Sequence, residues 1–371
     1  MRAVAVFPSS KTISVVDHPE PVIERDTDVL LEVLDVGICG TDREIARFDY
    51  GTPPDGSPYL VLGHESLARV SAIGAGVSNI SVGDLVVTTV RRPCTQPWCR
   101  ACRAGRQDFC FSGLFTERGI NGRHGFMTER VVDDAQYMHV VPADLRPVGV
   151  LVEPLTIAEK ALIQVWDVQE RLPWTAAGRA GDGHGQRAVV LGAGPVGLLG
   201  VLALLCRGFE VWVYSMDAAD SVKARWVASV GAHYVSSANA SLDVLAQEVG
   251  NIDLIYEATG AAALSFDALR ILGVNGVFVF TGVPGRKGPF EIDGSLVMRN
   301  MVLKNQLVFG TVNAGPDAFD AAIDDLATFY ERWREPVTAL ITSRVQPDAA
   351  IQLLTTPPAG IKAVVSFRAD A

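Results

Sequence analysis

Apolar positions along the chain change their period twice. Over the first 150 residues they fall in short runs, "MRAVAVF", "VLLEVLDVGIC", "SLARVSAIG" and "DLVVTTV", with Gly, Pro or Asp at the breaks. This pattern predicts strands joined by tight turns, and so a small, largely antiparallel β domain. After Glu153-Pro154 the spacing of "LTIAEKALIQVWDVQE" turns helical, and "RLPWTAAGRAGDGHGQ" follows as a Gly-rich connector. From Arg187 onward strand and helix alternate through "AVVLGAG", "PVGLLGVLALLCRG", "EVWVYS", "SVKARWVASVG", "IDLIYEATG" and "GVFVFTG". Such alternation predicts an α/β architecture with a doubly wound parallel sheet. The stretch from Asn305 is mixed again. The expected organisation is a β-rich domain over residues 1–155, a nucleotide-binding domain over 156–304 and a segment 305–371 that returns to complete the first.

Length agrees with this division, since 371 residues exceed what one hydrophobic core sustains. A net charge of −10 argues against general affinity for nucleic acid or anionic membrane, because both need a basic face. The N-terminus lacks the apolar run of a signal peptide, and no stretch approaches eighteen uninterrupted apolar residues. A cytoplasmic location is therefore expected, where clustered cysteines hold metal more often than they form disulfides.

Three patterns carry chemistry. "VVLGAGPVG" sets Gly192, Gly194 and Gly197 in the spacing G-x-G-x-x-G, directly after an apolar strand and with Pro195 and Val196 opening a helix. In that context glycines let a pyrophosphate approach the helix N-terminus; the alternative is a tight turn without ligand. At the end of the next strand stand Ser215 and Asp217, with no arginine directly following. A carboxylate there binds the adenosine ribose, which favours NAD, while Lys223 or Arg225 leaves NADP possible. The second pattern is "CTQPWCRACRAGRQDFC", where Cys94, Cys99, Cys102 and Cys110 have the spacing C-x4-C-x2-C-x7-C. One loop of this kind can wrap a tetrahedral zinc through four thiolates, a closed structural site; a disulfide staple and a reactive thiol are the competing readings. Cys206, inside "LLGVLALLCRG", is expected to be a core residue. The third is a scattered set: Cys39, His64 and Glu65 offer a thiolate, an imidazole and a carboxylate, the mixture that catalytic zinc uses, and Glu153 offers a further carboxylate. Spacing alone does not join them, and a structural histidine beside a surface acid is the plain alternative.

"GICGTDRE", "LGHES", the four-cysteine loop, "GAGPVG" and "EATG" occur in the order found in the zinc-dependent medium-chain dehydrogenase/reductase superfamily, and the resemblance covers essentially the whole chain. Within it, "CGTDREI", "RRPC", "LFTERGINGRHGFMTE" and "VEPLTIAEKA" resemble the glucose 1-dehydrogenase subgroup. The resemblance implies a GroES-like catalytic domain beside a Rossmann domain, with catalytic zinc on Cys39, His64 and Glu65 and with Glu153 as a nearby ligand or substrate contact. It further implies proton relay by Thr41, sugar contacts from Glu117 and Asn313, a cofactor position at Thr259, and a homodimer or homotetramer. The implied reaction is hydride transfer from the anomeric carbon of an aldose to NAD(P), giving a lactone.

Three departures touch these expectations. The first gap of the cysteine loop is four residues rather than two, so the loop should bulge around Pro97-Trp98. Val90 and Leu303 stand where the subgroup would have an asparagine and a histidine, removing two hydroxyl contacts. Ser-Met-Asp follows the strand where NADP-using members carry arginines. A zinc polyol or secondary-alcohol dehydrogenase would share the metal and cofactor residues, and a non-enzymatic dinucleotide-binding protein is the rival from another class.

Overall fold

The structure is a computed structural model that describes residues 1–174, 181–285 and 288–368. Residues 175–180 of the Gly-rich connector lie outside the described residues. The chain forms two compact units, Met1–Glu153 with Asn313–Ala371, and Pro154–Val312.

The first unit is built on a seven-stranded sheet. Its central strand, Asp28–Gly37, pairs antiparallel with Glu65–Ile73, with Arg130–Asp134 and with the C-terminal strand Lys362–Ser366. Side chains facing both sides of the central strand are buried, among them Leu31, Val33 and Val36, and burying each such side chain stabilises by about 1.5–3 kcal/mol. Insertion of the C-terminal strand sets Val364 opposite Gly37. Two glycines here have a steric reason. A Cβ on Gly37 would strike Glu65 Oε2 at 2.1 Å, and Gly63, at φ +89°, has Met127 Cγ and Val36 Cγ1 where its Cβ would lie, both 2.7 Å away. A smaller sheet, Arg91–Arg92 with Thr116–Arg118 and Gly122–Arg123, sits apart from the main one.

The second unit is a six-stranded, wholly parallel sheet in the order His233–Ser236, Glu210–Ser215, Arg187–Leu191, Leu254–Glu257, Val277–Phe280, Leu307–Gly310. The strand order reverses beside Arg187–Leu191, the topological switch point of a Rossmann fold. Near-continuous apolar strands such as "AVVL" and "LIY" are what a parallel sheet covered on both faces requires. The expected return at residue 305 comes later. "LVFG" pairs in parallel with Val277–Phe280, so 305–312 stays with the second unit and the chain re-enters the first at Asn313. Its β-type spacing finds the open edge of the sheet. Cys206 is corrected too: it ends the helix Pro195–Cys206 and is only partly buried. Among the described residues no helix is long and apolar enough to cross a membrane.

Candidate active site

In the first unit Cys39, His64 and Glu65, separate in sequence, bring their ligand atoms within 4.8 Å of one another. Cys39 is the N-cap of the short helix Gly40–Ala46; Glu65 opens the strand Glu65–Ile73 and His64 directly precedes it. Asp42, fully buried, organises the approach: Cys39 N–H donates to its Oδ2 at 2.8 Å, Gly63 N–H to its Oδ1 at 3.3 Å, and His64 Nδ1 lies 3.4 Å from that same oxygen. Such a carboxylate fixes the imidazole and leaves the other ring nitrogen for a metal. Burial opposes a charge on His64, but Asp42 outweighs it and raises its pKa well above the usual imidazole range. Glu65 pairs with Lys362, itself 1% exposed, whose Nζ also donates to Ile38 O at 3.2 Å. Desolvation works against the Lys362 ammonium, yet Glu65 and Cys39 hold its pKa up.

Glu153 stands outside this set of three but couples to it. Desolvation pushes its carboxyl up to about 7, with Glu65 and Asp42 adding to the rise and His64 and Lys362 opposing it. Thr41 lies in the first turn of the same short helix as Asp42 and is partly exposed. A thiolate, an imidazole and a carboxylate at this separation fit zinc, whose bonds of about 2.0–2.3 Å set ligand atoms roughly 3–4 Å apart.

Glu117 and Asn313 do meet. Glu117 is buried, and its Oε1 accepts from Asn313 Nδ2 at 3.0 Å and from Arg91 through Nε at 3.0 Å and a second guanidinium N–H at 3.0 Å. Arg91 also donates to Asp108 O at 3.3 Å and stacks its guanidinium 3.7 Å from the Phe115 ring centre. The Oε1 atom is saturated and Oε2 is left for another donor. Tyr50, 53% exposed, is within electrostatic reach of both Glu117 and His64. Val90 is buried in the core and offers no polar group.

The cysteine loop closes as a cage. Cys94 Sγ lies 3.6 Å from Cys102 Sγ, and Cys99 Sγ 3.8 Å from Cys110 Sγ, close to the ~3.8 Å edge of a tetrahedron with Zn–S bonds of about 2.3 Å. A disulfide needs about 2.05 Å. Pro97 and Trp98 bulge outward, Trp98 being 57% exposed against Phe111.

In the second unit Gly194 caps the helix Pro195–Cys206, with Pro195 and Val196 in its first turn. A Cβ on Gly197 would lie 2.2 Å from Gly192 O, and one on Gly192, at φ +102°, would lie 2.7 Å from Thr259 Cγ2; above Gly194 nothing lies within 4 Å. An open cradle at a helix N-terminus fits a pyrophosphate. Asp217 is not a bare carboxylate: Lys223 Nζ donates to both its oxygens at 3.1–3.2 Å and Ser215 Oγ to one at 3.0 Å.

Sequence reasoning missed Asp42, Lys362 and Arg91. Asp42 had a signal, an acid at the third helical position after Cys39 in "CGTD"; Lys362 had none, since only pairing of the last strand brings it in.

The family model "Glucose dehydrogenase C-terminus" matches residues 146–367, and "Alcohol dehydrogenase GroES-like domain" matches 25–143. A glucose 1-dehydrogenase of Methanocella arvoryzae is 35% identical over 372 residues, covering 100% of both chains. That of Thermoproteus tenax is 41% identical over 332 residues, covering 88% of each. Among solved structures, Haloferax mediterranei glucose dehydrogenase in complex with NADP, Zn and gluconolactone superposes with a TM-score of 0.88 at 29% identity, covering 100% of both chains. The chain therefore belongs to the glucose 1-dehydrogenase family of the zinc-dependent medium-chain dehydrogenase/reductase superfamily.

Proposed function

We propose that the protein is a zinc-dependent aldose 1-dehydrogenase, oxidising the anomeric carbon of a glucose-like sugar to the lactone with NAD or NADP. The observation that carries this reading is the pairing of two sets in one unit: Cys39, His64 and Glu65 within 4.8 Å, and the Arg91–Glu117–Asn313 network with one carboxylate oxygen to spare. Relatives named glucose 1-dehydrogenase, and a structural neighbour holding NADP, zinc and gluconolactone, support it. Zinc, held by Cys39, His64 and Glu65 with Glu153 nearby, would supply the Lewis acid that lowers the pKa of a substrate hydroxyl. The dinucleotide would supply the hydride acceptor.

The chain's own residues do the rest. Asp42 keeps the His64 ring oriented, and Lys362 balances the charge of Glu65. Thr41 relays the substrate proton: its hydroxyl oxygen accepts it while its own proton passes on to solvent, to which the residue is partly exposed. Glu117 Oε2 accepts a sugar hydroxyl, while Asn313 and Arg91 hold that carboxylate in place. Gly192, Gly194 and Gly197 admit the pyrophosphate to the helix N-terminus, and Ser215 and Asp217 face the adenosine ribose. The protein acts as a homo-oligomer through the free edge of Leu307–Gly310, the outer strand of the parallel sheet; a monomeric mass in solution would contradict that.

Initial rates of the zinc-loaded enzyme on aldoses, open-chain polyols and propan-2-ol, each with NAD and NADP, test the reading. An aldose is expected to be the fastest substrate; a simple alcohol or polyol turned over faster removes it. Charge-assisted bonds are worth about 1.5–3 kcal/mol, so Glu117→Gln should cost roughly tenfold or more in kcat/KM for the best aldose and little for propan-2-ol. Asn313→Ala is the companion variant, since Glu117→Gln also leaves Arg91 less well paired.

A further inference from the structure

Glu257 ends the strand Leu254–Glu257 and is fully buried. No salt bridge reaches it among the described residues. Its charge is met by four donors instead: Thr259 N–H at 2.6 Å, Thr259 Oγ1 at 2.6 Å and Gly260 N–H at 2.9 Å on Oε1, and Gly282 N–H at 3.2 Å on Oε2. Its main-chain oxygen takes the Thr281 N–H at 3.0 Å and the Thr281 hydroxyl at 2.6 Å. One residue thus ties together two loops, 258–260 and 281–283, which leave neighbouring strands.

The contacts are tight. A Cβ on Gly282 would lie 2.2 Å from Gly260 N and 2.8 Å from Glu257 Oε2, and one on Gly260, at φ +63°, would lie 2.7 Å from Val283 O. Thr259 in turn lies against Gly192, the first glycine of the pyrophosphate turn. Both loops sit at the carboxyl ends of their strands, beside the switch point where ligands of parallel sheets bind. They present exposed groups there: Thr259 is exposed, and Val283 is 72% exposed. At the same register the next strand carries an apolar residue, Phe280 opposite Glu257, so pairing in the sheet does not itself call for a carboxylate. A buried carboxylate without a cation is costly unless its hydrogen bonds are complete, so it marks a geometry that has to be held.

We propose that Glu257 is a positioning residue for the cofactor: through its carboxylate it holds the two loops that receive the nicotinamide half of the dinucleotide. This rests on the dinucleotide reading above, in which the first half of the sheet, with Gly192–Gly197 and Asp217, receives the adenosine half. Glu257→Gln keeps shape but turns an amide N–H toward backbone donors, so at least one of the four contacts is lost.

The test compares the zinc-loaded wild type with Glu257→Gln and Thr259→Val, using NADH and NADPH fluorescence titration, cofactor KM against kcat, and competitive inhibition by 5′-AMP, which occupies only the adenosine half. The expected result for Glu257→Gln is a rise of about tenfold in dinucleotide Kd and KM, with kcat at saturating cofactor within about threefold and the 5′-AMP constant unchanged. Thr259→Val, which keeps the backbone donor, should show a rise of about threefold. Unchanged dinucleotide affinity in Glu257→Gln overturns the assignment, as does an equal loss of dinucleotide and 5′-AMP affinity, which is the signature of general damage. Should Glu257→Gln fail to fold, unchanged affinity in Thr259→Val overturns it alone. A wild type that binds neither dinucleotide removes the underlying reading and this assignment with it, whereas normal wild-type binding isolates the role of Glu257.

Discussion

Asp217 illustrates how a single residue's partners change what it can select. As a bare carboxylate it would repel a 2′-phosphate and favour NAD, but Lys223 sits on both its oxygens. A ribose 2′-hydroxyl can donate to Asp217 as it stands. A 2′-phosphate can instead draw the ammonium of Lys223 away. Both cofactors are therefore expected to work, and the two variants should move selectivity in opposite directions. Asp217→Ala should raise the ratio of kcat/KM for NADP over NAD, and Lys223→Ala should lower it, each by about tenfold, the value of one charge-assisted contact. Cofactor-pair kinetics on the best substrate check this; ratios moving the same way in both variants would remove the exchange of partners.

At the scale of an element, the cysteine loop is a short segment with little core of its own. Four thiols from one loop, two pairs of them 3.6 and 3.8 Å apart, hold a segment whose Trp98, Phe109, Phe111 and Leu114 are all exposed. Its order should thus come from metal binding, which links to folding free energy. Cys102→Ser is expected to remove about one zinc per chain, lower the melting temperature and leave kcat per catalytic zinc nearly unchanged. Metal analysis with a thermal melt decides it, and a variant retaining full metal and stability would rule out the cage. The alternating strands of the second unit behave differently: they carry a core of their own, in which Phe278 and Tyr256 are fully buried.

Over the whole molecule, acid stability follows from which buried groups resist protonation. Burial, with His18 and Arg118 nearby, lowers the His124 pKa to about 4, and its Nδ1 accepts the Val61 N–H at 3.2 Å while its ring stacks on Tyr59. The unfolded chain takes up this proton near pH 6.5, the folded one only near 4. Between those values the unfolded state binds more protons, so stability falls as pH falls. Asp133 adds nothing in that window. Against the cost of burial, Arg118 and Arg92 hold its carboxyl far below the usual range, so its contribution is lost only in stronger acid. His124→Gln, which keeps an acceptor for Val61, should flatten the decline in melting temperature between pH 6.5 and 4 relative to wild type. Zinc release would steepen both curves alike, so the difference between them is the readout; parallel curves would exclude His124 as a source.

The parts legible in the sequence are those whose physical cause is local. Strand and helix follow from apolar period, the Gly192–Gly197 turn from backbone room at a helix N-terminus, and the cage from four cysteines on one loop. The tertiary structure decided what depends on distant strands meeting. Cys39, His64 and Glu65 converge only because Asp28–Gly37 pairs with Glu65–Ile73, and Lys362 reaches Glu65 only because the last strand pairs on the other side. "QLVFG" stayed with the parallel sheet, and the return began at Asn313, because an open edge was free beside Val277–Phe280. Arg91 reaches Glu117 through the pairing of Arg91–Arg92 with Thr116–Arg118, and Gly282 reaches Glu257 because Val277–Phe280 pairs beside Leu254–Glu257. A buried charge needs partners close by, and these were set by strand pairing, whereas Lys223 on Asp217 and Thr259 on Glu257 are near neighbours along the chain that the local turn brings round.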